Sequence, residues 1–166
     1  MRKHNTQMIQ HTLEIHYNEV NSLTELTNDD AFLLAKAREA SNNAWAPYSG
    51  FHVGAAILLE NGEIILGNNQ ENAAYPSGLC AERVALFAAN ANFPDEAVEA
   101  IAISASNKNG LVANAVKPCG ACRQALLESE IRFEKPIRLL LDGAEQIFLL
   151  NGIKNLLPLS FGKDDL

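Results

Sequence analysis

The chain has 166 residues, enough for one domain with a tail and for a sizeable core, and 48% hydrophobic against 20% charged residues marks it as globular. Thirteen Lys and Arg against twenty Asp and Glu give a net charge of −7, with the basic residues scattered; this disfavours a polynucleotide partner and favours a small neutral ligand. No apolar run approaches the ~20 residues that span a bilayer, and no apolar stretch follows the basic start Met1-Arg2-Lys3, so the expectation is a cytoplasmic protein with reduced or metal-bound thiols.

Residues 1–27 differ from the rest. They are polar, with Leu13, Ile15 and Tyr17 alternating against polar neighbours, which reads either as a short strand or, more plainly, as a partly ordered extension. The domain proper is expected over 28–166. A helix starts near Asn28, which can cap it. Asp29 and Asp30 suit the positive helix end, and residues 31–44 are rich in helix formers. The turn Pro47-Tyr48-Ser49-Gly50 stops it. Apolar runs at 51–59 and 63–67 flank Asn61-Gly62, a strong hairpin signal. A helix follows over 79–92, a buried strand over 98–105 and a polar loop over 106–110. A further helix spans 119–130, with strands at 137–141 and 146–150 and a short closing helix at 153–157. This order implies an α/β protein with helices on both faces of a mixed five-stranded sheet, a three-layer α/β/α arrangement. In such sheets ligands bind where strands end and helices begin.

The three cysteines fall at such places. Cys80 opens Cys80-Ala81-Glu82-Arg83, and the other two stand in Pro118-Cys119-Gly120-Ala121-Cys122, both at helix starts. Three thiolates bind zinc at about 2.3 Å and leave a fourth tetrahedral position open, where a water's pKa drops toward neutrality. Glu82, two residues after Cys80, is placed to exchange protons with such a water. Arg83 and Arg123, each directly after a cysteine, are candidates to offset the surplus negative charge of three thiolates.

Taken singly, each feature has a plainer reading. Cys80 would be a buried structural cysteine, Glu82 a carboxylate complementing a helix dipole, Cys119-x-x-Cys122 a redox pair and Arg83 a solvated charge. Their joint placement argues against coincidence. His4, His11 and His16 lie in the extension. His52 reads as a surface residue at a strand end, with closure of a structural Cys₃His site as the minor alternative.

The CAER and PCGACRQ segments, with 38 residues between Cys80 and Cys119, resemble the cytidine deaminases of the small homotetrameric type, whose metal and glutamate chemistry is that of the zinc deaminases generally. The likeness extends over roughly residues 28–166. It implies one zinc ion per subunit on Cys80, Cys119 and Cys122, and Glu82 as the catalytic residue. It further implies a pyrimidine pocket lined by Phe51 and Ala81, ribose contacts from Asn69 and Glu71, and Ala73, Tyr75 and Phe161 acting at sites shared between subunits. Asn69 and Glu71 were expected to alternate on one strand face. The activity so implied is hydrolytic deamination of cytidine and 2′-deoxycytidine in pyrimidine salvage. Its nearest rival is a deaminase of another aminopyrimidine nucleoside such as blasticidin S, with a structural zinc module more remote. Lys117 stands where the family often has serine, and its side chain is expected to point away from the site.

Overall fold

A computed structural model describes residues 8–166; the basic start, with His4, lies outside the described residues. Ten regular elements follow in chain order: β1 (Asn18–Val20), α1 (Asn28–Ser41), β2 (His52–Leu59), β3 (Ile64–Asn68), α2 (Ala81–Asn92), β4 (Val98–Asn107), β5 (Gly110–Leu111), α3 (Gly120–Phe133), β6 (Arg138–Leu141) and β7 (Ile147–Asn151). The strands form one open mixed sheet in the order β1-β7-β6-β4-β2-β3, with β5 paired to the end of β4. Only β4 and β6, joined through α3, run parallel as neighbours.

The sheet has seven strands where five were expected. Both extra strands are short and local. β5 turns the expected polar loop into a hairpin on β4 at Gly110, whose φ of +98° suits glycine. β1 comes from the segment that composition set apart, and it lies antiparallel on β7 with Asn18 opposite Leu149. The strand is at 18–20, just past the alternating Leu13, Ile15 and Tyr17, all of which are exposed.

Period-2 alternation sorts each strand between two cores. Ala55, Ile57 and Leu59 of β2, Ile101 and Ile103 of β4, and Leu139 and Leu141 of β6 pack with Leu86 of α2 and Leu126 and Leu127 of α3. Their neighbours Ala56, Ala100, Ala102 and Leu140 face Leu33, Leu34 and Ala37 of α1. Helices therefore cover both faces. Small residues on the α1 side let that helix approach closely: a Cβ on Gly54 would stand 2.0 Å from the Ala37 carbonyl oxygen.

The cap of α1 is Thr27, not Asn28. The Thr27 hydroxyl accepts from the Asp30 N–H at 3.1 Å while its own backbone stays extended. The closing helix at 153–157 is a single 3₁₀ turn, Ile153–Asn155. Two buried carboxylates tie elements together. Asp142, fully buried after β6, accepts from Arg38 Nε (2.7 Å), a second Arg38 nitrogen (2.8 Å) and the Ser104 hydroxyl (2.7 Å). Glu130 of α3 accepts from the N–H groups of Ile137 (2.7 Å) and Ile153 (2.8 Å).

Candidate active site

The starts of α2 and α3 come together at one end of the sheet. Cys80 and Cys119 are the N-cap residues of these helices, and neither side chain is used as a cap. Both sulfurs are thus free at positive helix ends, where thiolates are favoured. Cys122 sits in the first turn of α3, fully buried. The three sulfurs lie within 4.8 Å of one another, with Cys80–Cys119 at 3.7 Å and Cys119–Cys122 at 3.4 Å. A tetrahedral ion with bonds of about 2.3 Å to sulfur would space its thiolates about 3.8 Å apart. The donor set therefore fits a thiophilic divalent metal, and among the described residues this is the one such cluster of three or more His, Cys, Asp or Glu. His52 is not part of it.

Hydrogen bonding within the cluster divides the protons unevenly. The Cys119 thiol donates to the Cys122 sulfur at 3.4 Å, the neighbouring Cys122 side chain lowers Cys80 to about 5, and Cys80 together with burial raises Cys122. Arg83 beside them lowers Cys80 further. Its Nε is buried with no hydrogen-bond partner, and the charge of the guanidinium is directed at the sulfurs. Arg123 is placed differently from expectation. Its guanidinium donates to the carbonyl oxygens of Pro118 (2.8 Å) and Leu156 (2.7 Å), binding the loop before Cys119 to the C-terminal segment rather than draining charge from sulfur. Glu82 is 5% exposed, and burial raises its carboxyl above the usual range, with the Cys80 charge acting the same way.

A cavity of about 670 Å³ opens above the cluster, and Phe51, Asn69, Glu71, Tyr75, Cys80, Ala81, Glu82, Arg83 and Cys119 all line it. Asn69 and Glu71 lie past the end of β3, on either side of Gln70, which forms isolated bridges with Trp45 and Leu79. Asn69 is held at both ends: Oδ1 accepts from the Val53 N–H (2.8 Å) and Nδ2 donates to the Phe51 carbonyl (2.9 Å). Glu71 accepts from the Ser49 hydroxyl (2.5 Å) and from the N–H groups of Tyr48 (2.9 Å) and Ser49 (3.2 Å), the hydroxyl contributing most to lowering its carboxyl. Tyr48 and Ser49 are supports that were not singled out as site residues; the turn at 47–50 and their place at the head of the segment 48–56, which resembles the family's first strand, were the signals that pointed to them. Ala73 and Phe161 do not line this cavity. Both are exposed, and the Phe161 carbonyl accepts from Gln124 at 3.0 Å. The Lys117 ammonium points to the Phe148 ring, 4.9 Å from its centroid, although the residue lines the cavity wall.

Fold and cluster together define an α/β/α protein with a three-thiol metal seat at the meeting point of two helix starts. Known proteins narrow this. Residues 27–133 match the family model described as the cytidine and deoxycytidylate deaminase zinc-binding region. A cytidine deaminase of Sporosarcina psychrophila is 36% identical over 142 residues, covering 81% of this chain and 92% of that one. One from Halalkalibacterium halodurans is 45% identical over 100 residues, 60% of this chain and 71% of its own. The crystal structure of cytidine deaminase from Burkholderia pseudomallei superposes with a TM-score of 0.68 at 33% identity, covering 82% of this chain and all of that one. That from Mycobacterium tuberculosis gives 0.62 at 30% identity, covering 82% and 99%. The chain belongs to the cytidine deaminase family.

Proposed function

We propose that this protein hydrolyses cytidine and 2′-deoxycytidine to uridine and 2′-deoxyuridine with release of ammonia, as a cytoplasmic step of pyrimidine salvage. Cys80, Cys119 and Cys122 would hold one zinc ion per subunit. Bound zinc would supply the Lewis acidity that renders water nucleophilic near neutral pH. The observation that carries the reading is the convergence, in one cavity, of the three-sulfur cluster, the buried Glu82 carboxyl and the tethered Asn69 and Glu71 side chains.

Each residue has a task. Glu82 takes one proton from the attacking water and delivers it to N3 of the pyrimidine, then takes the remaining proton of the added hydroxyl and passes it to the departing amine as the C4 carbonyl forms. The buried position keeps that carboxyl from bulk water, so its protons go to the substrate. Phe51 and Ala81 form the wall against the flat base. Glu71 offers acceptor oxygens to the sugar hydroxyls. Asn69 has its amide already engaged at both ends, so it acts by fixing the start of β2 at Phe51 and Val53 and by its remaining lone pair. Arg83 offsets the charge of the thiolates. Ala73, Tyr75 and Phe161, all exposed on one chain, are assigned to sites shared with neighbouring subunits in a homotetramer.

An ultraviolet assay of the purified protein on cytidine, 2′-deoxycytidine, cytosine, CMP and blasticidin S tests the reading, together with zinc content per chain. Turnover of both nucleosides with one zinc per chain is expected. Turnover of blasticidin S alone, or of none of the five, would end the proposal.

A further inference from the structure

Two features have no part in that chemistry: the N-terminal segment and Lys117. They meet at Phe148. β1 pairs with β7 so that Glu19 stands opposite Phe148, and this register carries Tyr17 onto the Phe148 ring, with centroids 4.8 Å apart and planes inclined by 43°. The Lys117 ammonium lies 4.9 Å from the centroid of the same ring. Lys117 lines the cavity two residues before Cys119, and Glu71, Glu82, Cys80 and Cys119 line the same cavity, with Arg83 as the other cation. A lysine side chain is a point charge on a long flexible stem. Released from the ring, this one would be drawn into that acidic space, where it would occupy volume that a neutral ligand needs.

We propose that Tyr17 is a positioning residue for the cavity: it braces the Phe148 ring, and Phe148 parks the Lys117 ammonium at the rim, leaving the cavity open to a neutral nucleoside. The part of the chain that matches the family begins at residue 27, so the brace is supplied from outside it. An ammonium over an aromatic face at an exposed site shifts a side-chain equilibrium by about two- to fivefold. Apparent affinity falls in proportion as the open, binding-competent fraction falls. Once substrate is bound, Lys117 has been displaced and the chemical step is unchanged. Loss of the brace therefore raises KM and leaves kcat alone, the signature of lost ground-state access.

The inference rests on the cytidine deaminase reading, which turnover by the wild-type protein tests first and separately. The experiment uses the full-length zinc-loaded protein. Tyr17→Ala, Tyr17→Phe, Lys117→Ser and the double variant Tyr17→Ala/Lys117→Ser are compared by steady-state kinetics on cytidine and by calorimetric titration with uridine. Tyr17→Ala is expected to raise both KM and the uridine Kd about two- to fivefold at unchanged kcat. Tyr17→Phe keeps the ring and should retain wild-type values, and in the Lys117→Ser background Tyr17→Ala should change nothing. Should Tyr17→Ala fail to fold, Phe148→Leu removes the ring that holds Lys117 and carries the same expectations. Unchanged KM and Kd in a folded Tyr17→Ala protein would overturn the proposal. So would a fall in kcat in place of the KM shift, or the same shift in the absence of Lys117.

Discussion

Glu82 and the three sulfurs illustrate what separate side chains contribute. The carboxyl is nearly buried and adjoins the cluster without belonging to it. Replacing it should spare metal binding and remove proton transfer: Glu82→Ala is expected to keep its zinc by elemental analysis while kcat on cytidine drops by about 10²–10⁴. Cys119→Ala should behave in the opposite order. With one sulfur gone the seat is incomplete, so zinc content falls below that of the wild type and Tm falls with it, because metal binding and folding are linked. Cys119 and Cys122 were legible as a candidate pair because ligation needs particular atoms a turn apart, and Cys80 and Glu82 were legible as candidates through their joint placement at a second helix start. Arg123 was not. Its acceptors are main-chain carbonyls, one of them at Leu156, 33 residues along the chain, and main-chain oxygens carry no sequence signature.

Elements place these groups to within a fraction of an ångström, and two contacts show how. A Cβ on Gly67 of β3 would lie 2.5 Å from the Ala81 carbonyl oxygen and 2.5 Å from the Ala85 nitrogen, so only glycine lets β3 seat the start of α2. Gly67→Ala should cost about 1–3 kcal/mol in denaturant unfolding and should also depress kcat, because the helix that must retreat carries Cys80 and Glu82. Glu130 holds the far end of α3 by accepting two buried N–H groups. Glu130→Ala leaves both unpaired and should cost about 2–4 kcal/mol. Its carboxyl is raised by burial, so the folded chain keeps a proton that the unfolded chain has released. Its share of stability is complete below the unfolded value and is lost as pH rises through the folded one. Glu130→Gln keeps an acceptor oxygen and has no proton to lose, so its Tm relative to wild type should improve as pH rises above the usual carboxylate range. The strand and helix order was legible from hydrophobic period and turn residues, as at Asn61-Gly62. The two extra strands were not, because a run of two or three residues has no period to read.

At the scale of the molecule, metal and assembly are the open variables. Chelation should lower Tm by roughly 5 °C or more, with zinc restoring it, because a ligand bound only by the folded state adds to stability. Tyr75, which lines the cavity, is 76% exposed, and Phe161, which does not, is 59% exposed. Aromatic area of that kind, left unburied, favours association. On the homotetramer proposed above, light scattering should give about four times the 18.0 kDa of one chain, and a variant held as a monomer should lose activity on cytidine.

By itself the sequence determined the chemistry on offer: three thiols, one adjacent carboxylate, a polar segment at 69–75 that resembles one of the family's, and the alternation that commits strands to a two-faced sheet. These are local facts, set by residue type and by spacings within a turn or a strand. Only the tertiary structure decided that Cys80, from one helix start, and Cys119, from another, stand 3.7 Å apart, that Asn69 and Glu71 are held by hydrogen bonds from β2 and from the turn at 47–50, and that Tyr17 and Lys117 both meet the Phe148 ring. Those contacts join residues 16 to 131 positions apart. They follow from strand order and register, which hydrophobic pattern constrains and which the packing of the whole sheet selects.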